Sequence, residues 1–403
     1  MQATGTTNLT KKRKKSKQAN PDFILLGIIT LIVAFGVVMV YSASFYYCTS
    51  KGWSPIFFAK KQLFLGRLGI IAMLIVTYLF DYHVFTNRTL VRIIYYVSVA
   101  LAISVKFIGI EANGAKRWIG FGSFQIQPSE FVKIAVILMV SSYIIRNRSR
   151  MNELWTRVIA WLIVVVPTLI VTVLGSNLSS GIVIFGIGAV IIFSASPKIW
   201  YYFLAVIAGV FIVIGVRQLA IHTPKGEDPN IPVVNKILKG YRLDRVRAWI
   251  DPFEDPQDNG YQAIQALYAV GSGGFFGKGL AQGVQKMGFL PEPYNDIIFA
   301  VICEELGLLG ALLLMAAYGV IVMRGMTIAM RAPDYAGSFI ALGISSMIGI
   351  QAIINVAVNT NTIPTTGMQL PLISYGGTAL FVLLGTLGIL MNISRYASIE
   401  KLN

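Results

Sequence analysis

The stretch Phe23-Ile24-Leu25-Leu26-Gly27-Ile28-Ile29-Thr30-Leu31-Ile32-Val33-Ala34-Phe35-Gly36-Val37-Val38-Met39-Val40-Tyr41 carries no charge and follows the basic run Lys11, Lys12, Arg13, Lys14, Lys15 and Lys17. An apolar segment of about 20 residues is what a helix needs to cross a hydrocarbon core about 30 Å thick. The segment exceeds the roughly 7–15 residues of a signal-peptide core, so it reads as an uncleaved first span, although Ser42, Ala43 and Ser44 resemble a cleavage site. Working outward, similar runs start near Gln62, Leu90, Glu130, Val158, Ser179, Trp200, Asp296, Ala336 and Ser374, about ten in all. Of the 403 residues 55% are hydrophobic and 13% charged, too few charges to cover a soluble surface, where about 25% is usual.

The fold class is therefore all-α, a polytopic membrane helix bundle of about ten transmembrane helices with one long external loop, 218–295, between spans seven and eight. The expected organisation is a basic, disordered cytoplasmic tail over 1–20, one transmembrane domain over 21–397 and a cytoplasmic C-terminal tail over 398–403. Orientation follows from the cations, because short cytoplasmic loops collect Lys and Arg. Besides the N-terminal run, Arg88, Arg92, Arg146, Arg148, Arg150, Arg157, Lys198, Arg324, Arg331, Arg395 and Lys401 fall on one face. The other short loops hold only Lys51, Lys60, Lys61, Lys106, Lys116 and Arg117. Both termini are thus expected in the cytoplasm, in a chain of the cytoplasmic (inner) membrane. The net charge of +16 is explained by topology, so nucleic-acid binding is excluded. Two cysteines make no disulfide framework; Cys48 and Cys303 read as unpaired and structural.

Three external segments have unusual content: 109–129, about 218–295 and 359–373. In the long loop Lys236, Lys239, Arg242, Arg245 and Arg247 precede Asp251, Glu254, Asp255 and Asp258. Val234, Ile237, Leu238, Tyr241 and Trp249 recur beside the cations at near-helical spacing. That pattern predicts an amphipathic helix in the headgroup layer, serving as an anchor or as a cationic surface for an anionic lipid. The glycines from Gly271 to Gly279 match neither nucleotide-binding motif, because Ser272, Gly279 and Phe276 stand where essential residues would be. They imply a flexible or tightly turning backbone instead.

Phe289-Leu290-Pro291-Glu292-Pro293-Tyr294-Asn295-Asp296 runs into the eighth span. By position Asp296 is either a helix N-cap, the commoner role at such a junction, or a catalytic carboxylate. Glu304 and Glu305 follow two turns into the span, where ionised groups are costly and need a partner or a polar groove. Arg67, Glu130 and Lys133 are the candidate partners. Asn113 to Gly120, Gln127-Pro128-Ser129-Glu130 and the turn-rich run Ile363 to Thr378 complete the polar segments on the same face.

The order of these motifs resembles the SEDS family (shape, elongation, division and sporulation) of FtsW and RodA type. The matching stretches are Asn113 to Gly120, Gln127 to Glu130, Arg242 to Pro252, Asn259-Gly260-Tyr261-Gln262, Gly273 to Gly283, Leu290 to Gly307 and Pro364 to Gly377, covering nearly the whole chain from about residue 20. The resemblance implies a peptidoglycan glycosyltransferase that polymerises lipid II by inverting glycosyl transfer on the external face. Asp296 matches the family's essential carboxylate and would be the catalytic general base. Lys116, Arg117, Arg242 and Arg245 are candidates to meet the departing pyrophosphate, and Glu292 and Ser374 complete the substrate-binding set. The resemblance allows a divalent cation, Mg or Mn, although no metal-ligand spacing is visible, and implies no organic cofactor. The partners it implies are lipid II, the nascent glycan strand, a class B penicillin-binding protein transpeptidase and other division or elongation proteins.

Where many members read Pro-Asp-Leu-Gly-Thr, this chain has Ser176-Asn177-Leu178-Ser179-Ser180, so no catalytic role falls to Asn177. Asn355-Val356-Ala357-Val358-Asn359-Thr360 is closer to FtsW than to RodA, which implies septal synthesis at division, with a sporulation-type relative also open. Two other readings compete. A flippase or transporter of the lipid-linked precursor could use Glu304 and Glu305 to line its path, although the two halves show no repeat. A noncatalytic scaffold would require Asp296 to be dispensable.

Overall fold

The protein is described by a computed structural model over residues 19–112, 115–121, 124–196, 200–222, 241–258 and 260–397. Residues 1–18 of the basic tail, the C-terminal 398–403, Lys198 and the 223–240 part of the long loop lie outside the described residues, and with them Val234, Lys236, Ile237, Leu238 and Lys239.

The first apolar run is one helix, α1 (Phe23–Ser50), started by Asp22, whose carboxylate accepts from the Leu25 amide. It continues through Ser42, Ala43 and Ser44, all buried in the bundle. α2 (Phe57–Leu79), α3 (Arg88–Ile108), α4 (Pro128–Arg146) and α5 (Leu154–Leu169, prolonged by one π-turn to Leu174) follow, then α6 (Leu178–Ser194) and α7 (Trp200–His222). After the long loop come α8 (Tyr241–Ile250), α9 (Tyr261–Ser272), α10 (Ile298–Arg331), α11 (Tyr335–Asn359) and α12 (Thr378–Ser394). Among the described residues seven helices are long and apolar enough to cross a membrane, and α6 and α12 are shorter apolar helices. With α7 these make up the ten expected spans. α12 starts at Thr378 rather than near Ser374, because the chain turns at Gly377 with φ +50°.

Large apolar side chains such as Phe23, Leu31 and Val38 cover the outside while Leu25, Ile29 and Ile32 fill the inside, so α1 is apolar all round, as a lipid-embedded helix must be. The chain enters and leaves at one end of the bundle. There Ser394 Oγ accepts from the Asp22 amide at 3.1 Å, Arg324 pairs with Asp22 at 2.7 Å, and Asn392 Oδ1 accepts from the Tyr82 amide at 2.9 Å. At the far end the α3–α4 connection departs from the all-helical expectation. It forms a small antiparallel sheet, β1 (Ile110–Ala112), β2 (Ala115–Phe121) and β3 (Phe124–Ile126), in that order, with Ile110 opposite Trp118 and Ile119 opposite Ile126.

α8 falls in the second part of the amphipathic pattern, the part among the described residues. Its Leu243 and Val246 pack with Ala220 of α7, while Trp249 Nε1 donates to the Asn361 carbonyl. Of the apolar residues that mark the expected amphipathic face, Trp249 is the one whose side chain falls among the described residues.

α10 is broken at Gly307, whose φ of +67° no L side chain adopts cheaply. The glycine-rich segment folds back against this break. Lys278 N and Gly279 N donate to the carbonyls of Glu304 and Glu305, and Leu308 N and Leu309 N donate to Gly274 O and Phe275 O, all at 2.9–3.1 Å. The loop thereby satisfies the polar groups that the break exposes, the condition for irregular backbone at membrane depth. The glycines from Gly273 onward are a packed re-entrant loop rather than a flexible surface turn. A Cβ at Gly307 would collide with the Gly277 amide and the Phe275 carbonyl.

Candidate active site

Asp296 lies in the turn before α10 at the far end, half-buried. It does not cap the helix. The N-cap is Ile297, without a side-chain bond, and the Ala300 amide donates to the Ile297 carbonyl at 3.0 Å and to Asn359 Oδ1 from α11 at 3.2 Å. The backbone of Asp296 is held by two amides one turn apart on α11: Asn355 Nδ2 and Asn359 Nδ2 donate to its carbonyl at 2.8 and 3.1 Å. Asn355 also donates to Met368 O at 2.6 Å, which ties the same point to the final loop.

Gly367, with φ +70°, leaves room for Arg117 and that carboxylate on one side of it. A Cβ built on it would stand 3.3 Å from Arg117 Nη1 and 3.6 Å from Asp296 Oδ2. Arg117 is aimed by donating its Nε–H to the Ser176 carbonyl at 3.1 Å, and Arg245 of α8 donates from Nη1 to Thr365 O at 2.9 Å. Burial pushes the Asp296 carboxyl above its ordinary range, opposed by its own backbone N–H and with Glu292 adding to the rise; the charges of Arg245 and Arg117 hold it down. A carboxylate of raised basicity beside two guanidinium groups suits proton abstraction from an acceptor hydroxyl near developing negative charge.

Arg117 and Gly367 also line a cavity of about 70 Å³ that runs between β2, α4 and the final loop, past Gln127, Ser180, Gln351 and Ser374. On its floor Lys133, fully buried, pairs with Glu130 at 2.7 Å. α4 starts at Pro128 as Pro-Ser-Glu suggests, which presents both residues one turn in.

The structure sorts the remaining candidates. Lys116 stands next to Arg117 on β2, opposite Glu111 where the register slips by one residue, and is absent from the cavity lining that Arg117 and Trp118 share. It lies off the cavity. Arg242 is in the first turn of α8, and its side chain lies outside the described residues. Glu292 is exposed, with φ +46°, and accepts from Asn295 Nδ2 at 2.6 Å. Ser374 is a brace: its Oγ donates to Asn295 O at 2.6 Å and accepts from the Leu370 amide at 2.8 Å. Asn177 accepts from the Ser180 amide and so caps α6, while Ser179 donates to Thr366 O. Among the described residues no three His, Cys, Asp or Glu side chains converge. Asp296 and Glu292 alone make no protein-built cage for a divalent cation.

Glu304 and Glu305 are fully buried, and their partners differ from those expected. Glu304 accepts from Lys278 Nζ at 2.7 Å and from the amides of Val284 and Gln285, while Glu305 accepts from Ser42 Oγ, Lys286 Nζ and the Ala281 amide. Arg67 and the Glu130–Lys133 pair are not involved. The two carboxylates clamp the re-entrant loop to the broken helix. Cys48 and Cys303 are free and buried.

Residues 22–399 match the model of the cell cycle protein family named for FtsW, RodA and SpoVE. The chain is 38% identical over 384 residues to stage V sporulation protein E of Bacillus subtilis (strain 168), covering 95% of this chain and 99% of the relative. It is 33% identical over 383 residues to "Probable peptidoglycan glycosyltransferase FtsW" of Trichlorobacter lovleyi, covering 95% of each. A solved structure described as "Structural coordination of polymerization and crosslinking by a peptidoglycan synthase complex" superposes with a TM-score of 0.74 at 25% identity, over 94% of this chain and 99% of that one.

Proposed function

This chain belongs to the FtsW, RodA and SpoVE family, and on that premise we propose that it is a peptidoglycan glycosyltransferase that polymerises lipid II into glycan strands. The observation that carries the assignment to this site is Asp296. It stands at a helix start, yet its carboxylate does no capping, and it sits beside Arg117 where Gly367 leaves room. The 4-hydroxyl of the acceptor sugar attacks the donor's anomeric carbon from the face opposite the leaving group. Asp296 takes the hydroxyl proton as the new C–O bond forms and the bond to the lipid pyrophosphate breaks. Arg117 and Arg245 meet the growing negative charge. The Lys133–Glu130 pair polarises the cavity behind them.

The entry end, which carries Arg88, Arg92, Arg146, Arg324 and Arg395, is the cytoplasmic end, and Asp296 then works on the external face of the cytoplasmic membrane. A class B penicillin-binding protein is the crosslinking partner that the complex named above suggests for this chain. The FtsW relatives favour septal synthesis during division, and the 38% identity to a stage V sporulation protein favours the same chemistry in spore formation as a second setting. Lipid II given to the purified protein with its transpeptidase partner should yield glycan strands. Translocation of labelled lipid II across liposomes without strand formation would return the flippase reading.

A further inference from the structure

Outside the active site, one cluster of charge at the entry end stands apart. α3 opens with Arg88 and, one turn later, Arg92, while α4 closes with Arg146. Their side chains line one cavity of about 250 Å³ with Ser142, Tyr143 and Asn147, and the lining contains no carboxylate. Other cations at this end are answered: Arg150 pairs with Glu153 at 3.0 Å, Arg324 with Asp22 at 2.7 Å, and Arg148 lies on the Tyr335 ring at 3.3 Å. Arg88, Arg92 and Arg146 form no ion pair among the described residues, and Arg146 has only a long bond, 3.4 Å, to the Thr86 carbonyl. Topology alone calls for positive charge on this face, but it does not gather three like charges into one concave space, where they repel each other unless an anion joins them. Guanidinium groups suit phosphate oxygens, to which they offer paired N–H donors.

The walls indicate what carries the phosphate. From Arg92 toward the bundle's middle, α3 exposes Ile93, Tyr96 and Val97, with Tyr96 one turn beyond Arg92 on the helix face that carries Arg88 and Arg92, and Met139 of α4 lines the cavity itself. A phospholipid would lay its acyl chains on these side chains with its headgroup among the arginines, the arrangement expected of basic pockets between spans. We infer that the cleft between the first turn of α3 and the last turn of α4 binds a phosphate oxyanion borne by an anionic phospholipid. The inference is independent of the glycosyltransferase reading, since nothing in it touches Asp296.

The test is lipid binding to the full-length protein in neutral detergent, read by native mass spectrometry. The probes are phosphatidylglycerol, phosphatidylcholine and inorganic phosphate. Phosphatidylglycerol should bind the wild type at least fivefold more tightly than phosphatidylcholine. Arg92→Gln, an exposed site whose change leaves the bundle intact, should weaken it roughly fivefold. The triple variant Arg88→Gln, Arg92→Gln, Arg146→Gln should lose the preference, and Arg150→Gln should keep it. Undiminished binding by the triple variant, or an equal loss in Arg150→Gln, overturns the site. Inorganic phosphate that displaces phosphatidylglycerol at equal concentration, with the same dependence on arginine, keeps an anion site but overturns the lipid as its occupant.

Discussion

Lys286→Met should be among the most destabilising single changes in the chain. Lys286 Nζ lies 2.5 Å from Glu305 Oε1 and 2.7 Å from Ser42 Oγ, and the two charged side chains are 4% and 0% exposed. Removing one partner of a buried pair leaves an uncompensated charge, which costs about 3–5 kcal/mol. Glu305 keeps the Ser42 hydroxyl and the Ala281 amide as donors, so the lower limit, about 3 kcal/mol, is the expected loss. Adding Glu305→Gln removes the stranded charge while still accepting those bonds, so the double variant should recover about 2 kcal/mol of that loss. The assay is reversible unfolding in mixed micelles across the full double-mutant cycle. Because the loop that Lys286 pins leads directly into Asp296, polymerisation should fall in parallel. A loss below about 0.5 kcal/mol, or single effects that simply add, would refute the clamp.

Asn359→Ala removes a donor to the Asp296 carbonyl and one of the two acceptors of the Ala300 amide, so it should cost about 1 kcal/mol and lower kcat more than it raises KM, as unfolding and steady-state rates would show. Gly367→Val introduces a branched side chain at φ +70° against Arg117 and Asp296, and should reduce activity at least tenfold while the protein still purifies as a folded, partner-bound species. The base must be ionised, and burial raises the Asp296 pKa, so the acid limb of the pH–rate profile should lie above the ordinary carboxylate range, with activity lost as pH falls through it. Arg117→Gln takes away a charge that lowers this pKa, so it should move the limb to higher pH; an unmoved limb means that another group titrates.

The bundle was legible because its signal is additive along the chain: long apolar runs and the sorting of cations fix the spans and their alternation without any knowledge of contacts. What escaped depends on contacts between distant residues. Gly307 reads as one more small residue in an apolar run, and only the backbone of Gly274 to Gly279 shows why the helix can break there. Lys278 and Lys286 pair with carboxylates 26 and 19 residues later through a fold-back that no helical or strand spacing encodes, so Arg67 and Lys133, already within apolar runs, looked like the better partners. Asp296 stands out in sequence at the head of a span, but that its side chain does not cap α10 shows only in the contacts, where the Ile297 carbonyl and Asn359 Oδ1 meet the Ala300 amide. Lys116 and Arg117 are indistinguishable as cations in sequence. Only the folded β2, in a connection that reads as irregular and whose register slips at Arg117, separates the one that lines the cavity from the one that does not.

The central claim is that the Asp296 carboxylate is a chemical group, and glycan-strand formation from lipid II by Asp296→Asn with its transpeptidase partner tests it most directly. The amide preserves shape, and the bonds at its carbonyl from Asn355 and Asn359 are untouched. Polymerisation should drop about 10²–10⁴-fold while folding and partner binding persist. Strand formation at the wild-type rate would contradict the account.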